Sequence, residues 1–308
     1  MPVQPKIEVE VIKDSLTAWN IRGTTLRLRY PRIIHSEFMT HRVFSRNASS
    51  SRAVPVEKTI EQVLNDPALP VRWGMEGRGM QDHGELLPAD QEYCLEKWLE
   101  ARDHAVMVCQ DLIRMPERPH KQVVNRLLEP WQYINVLVTS TDWGNFVALR
   151  DHGAADPTMA VLGAKVHETL MDSKPRILEY GDWHMPFVDQ DTVEECATGA
   201  ADFDDITDRC LRVSAARSAR VSYNNFQGVR SEIAEDFQLY HQLVIEAPLH
   251  ASPAEHQFTP DSFIEGDWNC PELHGNLYGV KQLRKMIPNE RVYQDFHISY
   301  NERAAPDG

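Results

Sequence analysis

Two short stretches of this chain alternate strictly between apolar and polar residues, Ile7-Glu8-Val9-Glu10-Val11 and Leu26-Arg27-Leu28-Arg29-Tyr30. A period of two puts every second side chain on one face, so each reads as a half-buried strand, and Pro31 ends the second. The rest of the chain lacks the strand-helix-strand rhythm of a parallel sheet. The pattern predicts helices at about 91–114, 120–128, 141–151 and 157–172, with Pro157 suited to a first helical turn. Residues 231–246 form another, with Ile233, Phe237, Tyr240 and Val244 on one face. Strands mixed with long helices in no regular order point to an α+β fold. There is no internal repeat, and 308 residues fit a single domain.

The second strand feeds an unusual run. Residues 33–40 place Ile34, Phe38 and Met39 on one helical face. The next twelve, His41-Arg42-Val43-Phe44-Ser45-Arg46-Asn47-Ala48-Ser49-Ser50-Ser51-Arg52, hold three arginines, four serines, an asparagine and a histidine. Arginine forks and hydroxyls make charge-assisted contacts that suit a phosphate, each worth about 1.5–3 kcal/mol where water is partly excluded. A solvated basic turn is the alternative reading. Against it, the apolar face just before the run makes the cluster leave a packed helix.

The spacing of this run, His-Arg, seven residues, Ser, one residue, Arg, resembles the R-H-R-x7-S signature of the flavin-dependent thymidylate synthases, with Thr40 in the place of its first arginine. Arg126-Leu127-Leu128-Glu129-Pro130 is similar to a nucleotide-binding segment of that family, and Asn145-Phe146-Val147-Ala148-Leu149-Arg150 to its N-F-x-x-L-R segment. Ala219-Arg220-Val221-Ser222-Tyr223 and His250-Ala251-Ser252-Pro253-Ala254-Glu255-His256 resemble A-R-V-S-F and H-x-T-P-x-E-H. In the commoner form of the family these two precede the arginine signature. Here they follow it, so the resemblance is to a circularly permuted, phage-type branch, and it covers about residues 24–290 in pieces.

The resemblance implies a flavin-dependent thymidylate synthase-like fold with a mixed sheet. It implies C5 methylation of dUMP, with FAD, NADPH and methylene-tetrahydrofolate, in sites shared between the chains of a homotetramer. Arg150 would stand beside the uracil edge as the catalytic cation, and Arg126 would hold the nucleotide. Ser50, Ser51 and Arg52 would take the phosphate, with Glu37 near the nucleotide. His41, Arg42, Asn145, His250 and Ser252 would contact the flavin. Thr40, Glu37 and Ala48 depart from the pattern, as do residues 154–159, which leaves two further readings open. One is methylation or hydroxymethylation of another pyrimidine nucleotide; the other is a non-catalytic flavin- or nucleotide-binding relative.

Composition narrows the classes. A formal charge of −14 argues against a nucleic-acid polymer as partner, although a local arginine cluster can still focus a small anion. No apolar run approaches the ~18 residues of a membrane span, and the start lacks the plan of a signal peptide, so a cytoplasmic protein is expected. The five cysteines have neither C-x-x-C nor zinc spacing and read as free thiols, with no metal site expected. Cys94 and Cys109 fall on an apolar helical stripe and read as core. None lies in a Pro-Cys-His context, which disfavours a thiolate mechanism. Residues 65–90, rich in Pro and Gly, read as an irregular excursion, and 189–208 as an acidic, solvated insertion.

Overall fold

In the computed structural model, which describes residues 6–221, 231–288 and 290, the two alternating segments pair with each other and run further than their alternation. Strand β1 spans Glu8–Thr17 and β2 spans Arg22–Pro31, antiparallel, with a register shift between Val11 and Lys13. That bulge explains why the sequence alternation stops at Val11 while the strand continues. A 3-10 turn at Arg32–Ile34 leads into α1, a single turn at His35–Phe38. Ile34 and Phe38 are buried as expected, but Met39, beyond the helix, is exposed.

The polar run does not form one loop. Its middle is strand β3, Ser45–Ala48, laid against the edge of β4, Tyr133–Ser140. The sheet order is β3-β4-β2-β1-β5, where β5 is Arg176–Leu178. All neighbours are antiparallel except β1 and β5, so the sheet is mixed and the fold α+β.

The helices follow the predicted order with shifted ends. After α2, Val56–Asn65, comes α3, Pro88–Ile113, which begins earlier than predicted because Pro88 sits in its first turn. The predicted 120–128 helix is only α4, Lys121–Val124; it tightens to a 3-10 turn over Asn125–Trp131, where Pro130 bars an ordinary helix. Helix α5 is Gly144–Arg150, and α6 is Pro157–Asp172, as predicted. Asp156 caps α6 by accepting from the amides of Thr158 and Met159, which gives this departure from the family pattern a structural role.

The acidic run keeps its carboxylates at the surface, as expected, but it is folded into helices. It builds α7, Gln190–Ala197, and opens α8, Phe203–Arg220. Asp189 and Asp202 cap these helices, and their neighbouring carboxylates sit where the helix dipole favours negative charge. Thr192, Cys196 and Cys210 are buried beneath them. The 65–90 excursion is irregular up to α3, braced by an Arg72–Asp82 pair. Helix α9, Ile233–Tyr240, passes into a π turn at His241–Ile245, so the predicted amphipathic helix is divided. The Ser222 and Tyr223 positions of the fourth motif lie outside the described residues. Among the described residues, no helix is long and apolar enough to cross a membrane, and no three metal-ligating side chains lie together.

The sheet carries different chemistry on its two faces. Leu26, Leu28 and Tyr30 of β2 join Ile134, Val136 and Val138 of β4 in one core, closed by Phe146 of α5 and Met159 and Leu162 of α6. Arg29, Tyr133 and Asn135 alternate to the other face. A smaller core of Ile60 and Val63 of α2, Val106 and Cys109 of α3, and Leu128 and Trp131 packs beside them. Further along, Thr25 and Thr139 share a 2.6 Å hydrogen bond, and each bonds a fully buried histidine, His184 and His256, at 2.8 Å. Burial pushes both imidazoles down, His256 to about 3, so they stay neutral.

Helices α8 and α9 are joined through one buried carboxylate. Asp236 accepts from Nε of Arg217 at 2.9 Å, from Nε of Arg220 at 3.0 Å and from the Ser231 hydroxyl at 2.7 Å. Neutralising it strands buried guanidinium charge, so Asp236→Asn is expected to cost about 3–5 kcal/mol in urea unfolding. A cost under about 1 kcal/mol would show that the pair contributes little.

Candidate functional site: an arginine clasp and an arginine-serine turn

Arg150 ends α5, and residues far apart in the sequence meet at its guanidinium. Nε donates to Nε2 of His41 at 2.9 Å, Nη1 to Oε2 of Glu37 at 3.4 Å, and Nη2 to Oγ1 of Thr40 at 3.3 Å. A guanidinium has five N–H groups, so two remain for a ligand. Because Nε donates, the His41 ring is neutral at Nε2 and carries its proton on Nδ1. Burial, followed by the charges of Arg150 and Arg46, holds its pKa below the ordinary value of 6.5. The ring stacks on Phe44 at 5.7 Å and meets Phe146 edge-on at 5.0 Å.

Two departures from the family pattern thus have partners. Thr40 and Glu37 both bind Arg150, and the Thr40 hydroxyl also donates to the Glu37 carbonyl at 2.7 Å. The position of Arg150 depends on Gly163 of α6. A Cβ there would lie 2.5 Å from the Arg150 carbonyl carbon and 2.6 Å from the Asp151 nitrogen, both backbone atoms that cannot swing aside. The sequence reading missed Gly163, although a glycine inside a helical pattern signals such an approach.

Strand β3 separates the two ends of the polar run and turns Ser45 and Asn47 inward. Ser45 bonds the side chains of Asn276 and Gln282, Asn276 donates to the Val43 carbonyl, and Gln282 donates to the Glu255 carbonyl. This network ties the 252–255 turn to β3. Within that turn Glu255 pairs with Arg284, and burial raises its pKa against the pull of Arg284 and Arg46.

Beyond β3 lies a second cluster. Asn125 Nδ2 donates to the carbonyls of Ser51 at 2.7 Å and Val54 at 2.9 Å, and the Ser51 hydroxyl donates to Glu129 at 3.1 Å. The turn bearing Ser50, Ser51 and Arg52 is therefore docked on the residue preceding Arg126. Arg52 and Arg126 are exposed, and among the described residues neither guanidinium has a partner.

The structure thus gathers Glu37, His41 and Arg150 into one group, and Ser50, Ser51, Arg52 and Arg126 into another. Arg42 and Asn145, both exposed, follow and precede the His41–Phe146 ring contact in sequence. His250 and Ser252 are exposed at the turn tied to β3, whereas His256 of the same motif is spent on the sheet. Among the described residues, no hydrogen bond or ion pair joins the two groups.

Comparison with protein-family profiles gives no match, and neither does comparison with curated proteins. Among solved structures, the chain is similar to the UMP/dUMP methylase PolB from Streptomyces cacaoi bound with 5-Br dUMP. That overlap has a TM-score of 0.46 and 15% identity, over 55% of this chain and 92% of that one. The same methylase bound with 5-Br UMP gives 0.44 and 14%, over 54% and 89%. This is a partial backbone similarity; the site rests on the side chains described above.

Two measurements check the clasp. Gly163→Ala should cost about 1–3 kcal/mol in urea unfolding through overpacking and should displace Arg150. Unchanged stability and an unchanged His41 environment would show that the close approach is not needed. His41 should titrate below 6.5 by nitrogen NMR, and Arg150→Ala should raise its midpoint. Since the native value is depressed, the stability His41 contributes is present above about pH 6.5 and is lost as the pH falls through that native value.

Proposed function

We propose that this protein is a flavin- and folate-dependent methylase acting at C5 of a pyrimidine mononucleotide, dUMP above all. The observation that carries this reading is the clasp of Arg150 by Glu37, Thr40 and His41. It is a cation held by three protein acceptors, 19% exposed at its side chain, with two N–H groups left over.

C5 of uracil is a poor nucleophile until negative charge builds along the ring edge. A fixed cation lowers the cost of that charge, and more so where water is partly excluded. Neutral His41 orients the Arg150 fork without adding a charge of its own. Glu37 keeps acceptor capacity suited to a ring N–H.

The exposed side chains of Arg42, Asn145, His250 and Ser252 offer a cation, an amide, an imidazole and a hydroxyl. That set fits the pyrophosphate and ring edge of FAD. When bound, reduced flavin supplies the hydride, with NADPH as its reductant and methylene-tetrahydrofolate as carbon donor.

Ser50, Ser51, Arg52 and Arg126 take the phosphate on this reading. The four residues of β3 span about 13 Å between that turn and the clasp. We therefore place the phosphate ligands of one chain with the clasp of a neighbour, in a homotetramer.

A thiol mechanism is disfavoured by the cysteines themselves. Cys109, Cys196 and Cys210 are buried, and burial raises their pKa, that of Cys210 to about 12. Only Cys94 and Cys270 are partly exposed.

A second reading, another pyrimidine ring or a hydroxymethyl product, draws on Glu37, whose carboxylate beside Arg150 changes what a base edge meets. Mass spectrometry of dUMP, UMP and dCMP after incubation with protein, FAD, methylene-tetrahydrofolate and NADPH separates these. A methyl gain on dUMP supports the first reading. Hydroxymethyl addition, or gain on another nucleotide, supports the second, and no change with any of the three leaves a non-catalytic binder. Arg150→Ala should lower kcat more than it raises the nucleotide Kd, because the cation acts on charge developing in the transition state. Cys94→Ser with Cys270→Ser should remain active, and loss of activity in that folded variant would return a thiol to the mechanism.

A further inference from the structure

Behind the arginine-serine turn lies a cavity of about 490 Å³, between the polar face of the sheet and α2. This is within the size range of small-ligand sites. Its walls include Arg32, Ser49, Ser50, Lys58, Gln62 and Asn135.

The ionic groups around it divide into those already used and those left free. Arg29 is used: it pairs with Asp66 at 2.5 Å, and its guanidinium lies 3.8 Å over the Tyr133 ring. Asp66 is used as well, holding Arg29 and Lys6. Arg32 spends only Nε, on Glu129 at 3.4 Å, and keeps its terminal N–H groups. Lys58 is exposed and has no ion pair among the described residues, not even with Glu61 one turn along α2. The Ser49 hydroxyl oxygen accepts from the backbone N–H of Asn135 at 3.1 Å and the Ser50 oxygen from the backbone N–H of Arg52 at 3.3 Å, so each hydroxyl proton is free to donate. The side-chain amides of Asn135 and Gln62 have no hydrogen-bond partner among the described residues. Glu61 also lines the hollow without an ion pair among the described residues, so one free carboxylate stands against the two free cations. Those cations, with the hydroxyl donors and amides, are the chemistry that holds an oxyanion carried by a polar organic group.

We propose that this cavity binds the phosphate group of a mononucleotide, with Lys58 and Arg32 as its cations and Ser49 and Ser50 as hydroxyl donors. It rests on the function proposed above where it shares Ser50 with it, but it draws on the cavity and on Lys58 and Arg32, which no motif includes, and on Ser49, to which the resemblance gives no role. The phosphate comes either from the nucleotide substrate or from a separate phosphate-bearing ligand.

The test is calorimetric titration of the full-length protein with inorganic phosphate and, separately, with dUMP. Wild type is compared with Lys58→Glu, Gln62→Trp and Arg150→Ala. Lys58 and Gln62 are exposed on α2, so both variants should fold, which far-UV circular dichroism checks. Phosphate should bind the wild type, and Lys58→Glu should weaken it about tenfold or more, as for a lost charge-assisted bond. Gln62→Trp should weaken it by filling the hollow, and Arg150→Ala should leave it unchanged.

If dUMP weakens in parallel with phosphate in Lys58→Glu, the occupant is the substrate. If phosphate weakens and dUMP does not, the occupant is a separate ligand and the cavity is still its site. Phosphate binding that is absent from the wild type, or unchanged in both α2 variants, overturns the proposal. Phosphate binding lost only in Arg150→Ala also overturns it, while leaving the methylase reading intact.

Discussion

The contact of Phe146 with the His41 ring is the interaction on which the clasp depends. Phe146 and Arg150 stand four residues apart on α5, so they share a helical face. One places its ring edge-on to His41 at 5.0 Å, and the other donates to Nε2 of the same imidazole. Phe146 in turn packs on Phe38, Phe44 and Trp143, which joins the helix to the sheet core and to both sides of the His41 turn. The apolar contact therefore fixes a polar geometry. Without it the His41 ring would be free to turn, and the long arginine side chain would lose rotamer entropy for its bonds to Glu37 and Thr40, at 3.4 and 3.3 Å, alone.

Sheet alternation distributes the remaining chemistry. The same period of two that buries Leu26, Leu28 and Tyr30 against α5 and α6 turns Thr25 and Arg29 to the opposite face. Thr25 bonds buried His184 there, and Arg29 reaches the wall of the cavity. Edge strand β3 then carries the chain from the clasp to the arginine-serine turn. In a chain of formal charge −14, the guanidiniums of Arg42, Arg52 and Arg126, unpaired among the described residues, can attract a small anion without making the whole surface attractive to nucleic acid.

The fold class and the principal strands were legible in the sequence because period-two alternation and proline punctuation are local signals. Strand β3 was not. Its residues are a serine, an arginine, an asparagine and an alanine, and only the edge of β4, some ninety residues away, makes them a strand. The helices within the acidic run were hidden for a related reason: a carboxylate that caps a helix and one that only faces solvent look alike until the amide partner is known. At the site, the motifs picked out Glu37, His41 and Arg150, which do meet. Phe146, four residues before Arg150, is the position whose helical phase matters, because it meets the same His41 ring. Gly163 was visible only as a glycine within a helix; its role follows from a backbone approach that no linear pattern encodes.

The two departures beside Arg150 change what that position can hold. Thr40 brings no cation and Glu37 brings an anion, so the charge of Arg150 is balanced within the clasp. Such a site has little left with which to attract a dianionic phosphate, but it retains a directed N–H fork beside a carboxylate acceptor. Donor and acceptor side by side suit the edge of a neutral base, whose ring presents the same pair in reverse. Phosphate affinity must then come from elsewhere, and Arg52, Arg126 and Lys58, cations without a partner among the described residues, follow β3 in the chain. On the proposed reading the chain divides its work: the clasp engages the base, where charge must be stabilised only during reaction, and the arginine-serine turn supplies the standing attraction for the phosphate.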